Sequence, residues 1–328
     1  MPEKKLTDKE AQAVHRRIEV AISHQKECWL PDAEEAMRFY RGFQWPGSRP
    51  SKGRAYGVGG WGYDKIRVTV NQVRPTVETM VSNVAFSYPD FFVRGVNEKG
   101  WKNTNVAEQL LRYDWRVLRV QPESKRCLRD RNIYGLGVIH DGWEIAVAGE
   151  EIKKDRPFAV RISPVRFYVD PECDADLENA LFCGYWEVRS LEEVREDERF
   201  SNTRQLKGSY RDDGKGGEYK ESDPSGLSVD EKRVQLFHYY ERGRRLHCVY
   251  SGEHDKPLLV EDWKWVGDWY PFSVMRVADD EDHFWPTPPI KHIAHAQREI
   301  NEARTQHSMH RRQLNRKFQT RAVLTEKQ

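Results

Sequence analysis

WPTPPIKHIAHAQREINEARTQHSMHRRQLNRKF, residues 285–318, is the stretch from which the architecture is read. Pro286, Pro288 and Pro289 end whatever precedes it, and the fixed φ of Pro288 or Pro289 suits the first turn of a helix. From Ile290 to Phe318 there is neither Gly nor Pro. The spacing therefore predicts one helix of roughly 28 residues, about 42 Å long. That is more than twice the usual globular length, and it suits a helix packed lengthwise against copies of itself or set in the wall of a ring.

Two stripes run along this helix. Ile293, Ala296, Ile300, Ala303, His307, His310 and Leu314 recur at steps of three and four, the seam of helices packed side by side, with alanines that permit close approach. About half a turn away, Lys291, Arg298, Thr305 and Arg312 recur at sevens, with Arg316 one turn further. Residues 287–318 hold seven Lys or Arg against Glu299 and Glu302. Such a face fits a polyanion, and it equally fits the solvated side of an amphipathic helix.

Working back toward the N-terminus, Thr7 and Glu10 make a capping-box pattern for a helix over 8–30, broken by Pro31-Asp32. A second helix runs from about 32 to Gly42, which has the C′ position. Residues 46–63 read as a Gly-rich loop, 66–93 as extended chain turning helical near Thr76–Ala85, and 101–134 as one long amphipathic helix carrying Leu110, Leu111, Tyr113, Trp115 and Leu118. Residues 135–147 alternate as a strand, with a hairpin partner at 157–169, and 190–200 suggest a short helix. A polar Gly-rich linker spans 207–226, and short β-like runs fill 233–275. The fold class is α+β, with no internal repeat.

Composition narrows the function. The charged share is 32% with a net charge of +2, so any nucleic-acid contact comes from local patches rather than from a polycationic chain. Mean hydropathy is −0.86, low for a compact enzyme, while aromatics reach 12% with eleven Trp. Large rings beside charged surface are common in subunits that bury surface against neighbours. Cys28, Cys127, Cys173, Cys183 and Cys248 are odd in number and scattered, which argues against a disulfide framework or a structural zinc and for a reducing cytoplasm. No run of eighteen apolar residues is present, so no membrane contact is expected, and the charged N-terminus does not read as a signal peptide.

Candidate chemistry is sparse. Gly57-Val58-Gly59-Gly60-Trp61-Gly62 lacks the GK[ST] and the strand–helix context of a phosphate loop. His292/His295 and His307/His310 have a step of three where a zinc motif needs four and an adjacent Glu. Asp170, Glu172, Asp174 and Asp176 lack the Gly and terminal Glu of a calcium loop and read as a turn. Asp141 with Glu151 and Lys153 mimics the layout of metal-dependent nucleases, in which two carboxylates hold Mg²⁺ and the lysine meets the phosphate. An ordinary hairpin tip explains them as well. No catalytic residue, metal ligand or cofactor is expected.

Four stretches in order resemble a known family, the portal proteins of tailed bacteriophages, in particular the short-tailed type. They are Phe39-Tyr40-Arg41-Gly42-Phe43-Gln44-Trp45, Thr69 through Glu78 (TVNQVRPTVE), Ile162 through Pro171 (ISPVRFYVDP), and Pro289 through Asn301 with Gln297-Arg298-Glu299-Ile300-Asn301. The resemblance implies a homo-oligomeric ring, typically a dodecamer, at one capsid vertex. Through it terminase packages double-stranded DNA, and on it the major capsid or scaffolding protein and a tail adaptor dock. It implies a location in the virion after assembly in the bacterial cytoplasm.

It further implies a wing-like α+β region over 1–226, a clip-like small β module over 227–286 and a stem-like helix over 287–318. Residues 319–328 then begin a further segment, since portals continue beyond this point. On that basis Lys291, Arg298, Arg312 and Arg316 are the expected DNA-facing residues, and Ile293, Ala296, Ile300, Ala303 and Leu314 the expected inter-subunit seam. Two other readings remain: the head-associated nuclease just described, and an adaptor binding partners through Trp263, Trp265 and Trp269.

Overall fold

The computed structural model describes residues 6–45, 67–95, 103–148, 151–210, 232–263, 267, 269–277 and 283–314, with backbone alone at 144–148, 151–155 and 313. Seven helices among these are α1 (Asp8–Cys28), α2 (Leu30–Arg41), α3 (Val73–Val84), α4 (Thr104–Val117), α5 (Val120–Tyr134), α6 (Leu191–Glu196) and α7 (Pro289–Leu314). The strands are β1 (Leu136–Ala148), β2 (Glu151–Ile162), β3 (Phe167–Val169), β4 (Phe182–Ser190), β5 (Arg233–Glu241), β6 (Leu246–Ser251), β7 (His254–Asp262) and β8 (Phe272–Arg276). Every strand pair is antiparallel, in two sheets ordered β2-β1-β8 and β3-β4-β5-β6-β7. The α+β class is what the sequence predicts.

Local chemistry explains the helix ends. The Glu10 carboxylate accepts from the Thr7 backbone N–H at 3.0 Å, which is half of the capping box. Trp29 leaves helical geometry and Pro31 falls in the first turn of α2, where it needs no N–H partner. Gly42 closes α2 at φ +88°, a conformation that costs a residue with a Cβ. The expected single helix over 101–134 is instead two. In a continuous helix Pro122 would forfeit a hydrogen bond and press on the carbonyl of Leu118. The chain breaks at Arg119, φ +55°, so that Pro122 lies in the first turn of α5.

Hydrophobic burial joins the layers. Val14, Ile18 and Ala21 of α1 pack on Tyr168, Phe182, Trp186, Tyr239 and Tyr250 of the five-stranded sheet. The other face of that sheet meets the three-stranded sheet through Leu136, Val138, Ile162, Phe167, Val169, Tyr240 and Phe272. Adjacent residues Tyr239 and Tyr240 thus serve opposite faces, as strand alternation demands. A third cluster joins α2, α3, α5 and α7 through Ala33, Phe39, Val73, Val77, Ile133, Ile290 and Ala294. At Gly137 an added Cβ would come within 2.5 Å of the Cys127 carbonyl oxygen, so only glycine lets β1 pass this close to α5.

Strands pair across the expected boundary at 226/227. β5 pairs with β4 along nine residues, from Ser190↔Arg233 to Phe182↔Glu241, and β8 pairs with β1. Residues 227–286 therefore supply strands to both sheets. The polar linker hides this, because the pairing is between strands far apart in sequence.

Candidate functional site

The long helix is built onto the body at its N-terminal end. Trp285 lies over Trp29 with ring centroids 4.8 Å apart, and the Trp29 indole donates to the Pro286 carbonyl at 3.1 Å. Ile290 and Ala294, four residues apart, then enter the core shared with α2, α3 and α5. Continuing at steps of three and four, the next inward positions are polar: Gln297, Asn301 and Thr305 are each at most 7% exposed.

These three side chains bind an extended segment, residues 67–72, through its backbone. The N–H groups of Gln72, Val70 and Val68 donate to Gln297 Oε1 (3.2 Å), Asn301 Oδ1 (2.9 Å) and Thr305 Oγ1 (3.0 Å). Gln297 Nε2 returns a bond to the Val70 carbonyl at 2.7 Å. The match is geometric. Four helical residues rise about 6 Å and two extended residues about 6.6 Å, so alternate N–H groups meet every fourth helix position. The segment thus satisfies its backbone on a helix rather than in a sheet.

The network reaches the α2 terminus as well. Asn301 Nδ2 donates to Gln44 Oε1 at 2.7 Å, Gln44 Nε2 to the Phe39 carbonyl (3.0 Å) and Asn71 Oδ1 (3.1 Å), and Asn71 Nδ2 to the Tyr40 carbonyl (2.9 Å). Beside it Tyr40 donates to Glu78, whose carboxylate takes a bidentate pair from Arg129 at 2.8 and 3.0 Å. The Arg129 hydrogen bonds hold the Glu78 carboxyl below its ordinary pKa, whereas burial raises the Tyr40 phenol.

The outward faces of α7 differ from its inward one. Ile293, Ile300 and Leu314 are 44%, 40% and 82% exposed, and Ala296 and Ala303 are exposed with them. The stripe at sevens flanks the inward face, and Thr305 is part of that face. Lys291 Nζ pairs with Asp32 of α2 at 2.6 Å, and Arg298 pairs with Glu35 while lying over the Phe39 ring. Toward the C-terminal end, Arg304, His307, Ser308, Arg311 and Arg312 line an open cleft of about 370 Å³ with Val68, and among the described residues no carboxylate lines it.

Residues 15–315 match the family model described as phage P22-like portal protein. The chain belongs to that family. No curated protein matches it. Portal membership carries an oligomeric ring and partners in the phage head, and the family is generally structural rather than enzymatic.

In this portal protein, three of the four motif stretches meet physically. The stretches around 39–45, 69–78 and 289–301 are the parts of one buried network, whereas the fourth, 162–171, is held by Gln25 of α1, which donates to the Pro164 carbonyl at 3.0 Å, and touches the neighbouring apolar core through Val165. Gln297 and Asn301 are legible in the sequence as a motif, but their role is not. The available signal is that 290, 294, 297, 301 and 305 continue one stripe from apolar into polar. Of the expected DNA-facing residues, Lys291 and Arg298 carry partners on α2, Arg312 lies in the cleft with Arg304 and Arg311, and Arg316 falls outside the described residues. Arg304 and Arg311, also seven apart, form a second row one position before Thr305 and Arg312, which the stripe through Lys291 and Arg298 does not include.

The other constellations do not assemble. Asp141 faces Ala159 in the β1–β2 ladder, while Glu151 faces Ala148 at its far end. Those rungs are seven to eight residues apart, about 25 Å, so Asp141 and Glu151 cannot share a metal ion. Asp141 instead accepts from Ser273 at 3.0 Å, and burial raises its pKa. Trp263 is a core residue at 6% exposure, Trp269 is 58% exposed, and Trp265 and the 57–62 loop lie outside the described residues. Asp170, Asp174 and Asp176 accept the backbone N–H groups two residues on, which makes them turn formers. Among the described residues no group of three or more His, Cys, Asp or Glu is placed to hold a metal ion, and no helix is long and apolar enough to cross a membrane.

Proposed function

We propose that this chain is the ring subunit through which terminase packages double-stranded DNA into the phage head, through which the DNA later leaves, and on which tail or adaptor proteins dock. α7 takes the stem-like role and the surrounding helices and sheets the wing-like role. The clip-like role falls to 227–286, whose strands are shared with the body. The ring is a dodecamer at the capsid vertex, assembled in the bacterial cytoplasm.

The observation that carries this reading is the division of labour around α7. One face is latched to the chain's own 67–72 segment. The Ile293, Ala296, Ile300, Ala303 and Leu314 stripe stays open for a neighbouring subunit. The Arg304, Arg311 and Arg312 end presents positive charge in a cleft with no carboxylate among its described lining residues. Repeated around a ring, such charges give a sequence-independent, salt-sensitive contact to phosphates. Lys291 and Arg298 serve instead as struts to α2. Negative-stain electron microscopy tests the reading. End-on class averages should show closed rings with a hole of about 20 Å or more, wide enough for a duplex with its grooves. Monodisperse monomers would refute it.

A further inference from the structure

The segment 85–93 lies antiparallel along α4. Arg116 sits over the Tyr88 ring at 5.9 Å, Trp115 meets Phe91 at 5.7 Å, Arg112 pairs with Asp90 at 3.6 Å, and the Val93 N–H donates to Glu108 at 3.0 Å. Glu108, Arg112 and Trp115, at steps of four and three, therefore define the face of α4 turned toward its own chain. At 100° per residue, Val106, Leu110, Tyr113 and Val117 project from the opposite face. They are 65%, 56%, 62% and 51% exposed, and α4 buries none of its residues. On the segment itself Phe86 and Phe92 are 90% and 83% exposed.

This helix is amphipathic the wrong way round for a monomer, with charged side chains inward and an apolar stripe outward. Met80, Val84 and Tyr88 are further exposed apolar side chains of this layer. A continuous apolar stripe along a helix that buries none of its own residues marks an interaction surface rather than a solvated face. The stripe carries no cation, so it does not suit DNA.

We propose that α4 with residues 85–93 is an arm that packs against a second copy of this chain. The identity of the occupant rests on the portal reading, because a portal is a ring of identical subunits. Ring closure requires a heterologous contact, so the arm meets a different surface on its neighbour and the contact repeats around the axis. The break at Arg119 aims α4 away from the line of α5, and Gln121 fastens the arm's base by donating to the Ala85 and Ser87 carbonyls at 3.1 and 3.3 Å.

The test uses the full chain with Leu110→Glu and Tyr113→Glu together. Both side chains project into solvent in the single chain, so the variant should keep the wild-type circular dichroism and melting curve. In a packed interface each carboxylate would be buried unpaired, and association should weaken by more than about a hundredfold. Sedimentation and microscopy should then show folded monomers where the wild type shows rings. A photocross-linking amino acid at position 110 of the otherwise wild-type chain should yield covalent dimers. Rings formed by the variant as readily as by wild type, or cross-links confined to the monomer mass, overturn the arm and leave the portal reading standing. Absence of rings from the wild type sinks both.

Discussion

Replacing Asn301 with Ala removes the centre of the buried network. Asn301 is 1% exposed, accepts the Val70 N–H at 2.9 Å and donates to Gln44 at 2.7 Å. The substitution strands both partners, and a stranded buried polar group costs about 1–3 kcal/mol. Val70 is only half-buried, so water recovers part of its loss, and the total should be about 2–4 kcal/mol. For 328 residues at about 2.1 cal/mol/K each, the unfolding entropy is about 0.7 kcal/mol/K, which converts to a fall of about 3–6 °C in Tm at fixed protein concentration.

Calorimetry reads the total and hydrogen exchange reads its location. In wild type the amides of Val68, Val70 and Gln72 should be slow and that of Thr69 fast, a two-residue alternation without a sheet. In Asn301→Ala the Val70 amide should lose protection before Val68. Combining Asn301→Ala with Gln44→Ala should be sub-additive by about 1–2 kcal/mol, since the two share one bond. Glu302→Gln, exposed and outside the seam, should stay within about 0.5 kcal/mol of wild type. A Tm change under about 1 °C for Asn301→Ala, with Val70 still protected, would refute the ladder.

Two further predictions concern charge. Changing Arg304, Arg311 and Arg312 together to Gln should lower the slope of log affinity for duplex DNA against log salt by about 2–3, at about 0.9 per phosphate contact, while Lys291→Gln should leave it nearly unchanged; the opposite ranking would move the DNA contact to the paired stripe. His140 is ringed by Phe158, Tyr185, Tyr240 and Phe272, and burial, helped by His238 and His247, lowers its pKa to about 3. Below an unfolded pKa of about 6.5 only the unfolded chain takes up this proton, so stability is lost as pH falls through that value, by about 2 kcal/mol at pH 5. His140→Phe should therefore show a smaller gap between its urea midpoints at pH 8 and pH 5 than wild type, and an unchanged gap would exclude His140 as the source.

Local signals were read where local chemistry decides. The Thr7–Glu10 cap, the Pro31 start, the Gly42 stop and the uninterrupted run after Pro289 depend on residues within a few positions of each other. The break before Pro122 was equally legible, because a proline inside a helical pattern shifts the start of the helix, but the apolar spacing over 101–134 masks it. The two sheets were not legible as sheets. β4 with β5 and β1 with β8 pair across long intervening sequence, and strand patterning does not name the partner.

For α7 the sequence by itself determined a long helix with several stripes at steps of three, four and seven. Only the tertiary structure decided which stripe faces the chain. Periodicity is a property of the helix alone, whereas the inward face is chosen by what lies opposite. Here that is an extended segment whose N–H groups recur every 6.6 Å or so, close to the rise of four helical residues. Gln297, Asn301 and Thr305 satisfy that row, Ile293, Ala296, Ile300 and Ala303 do not, and Lys291 and Arg298 are drawn to Asp32 and Glu35 as a consequence.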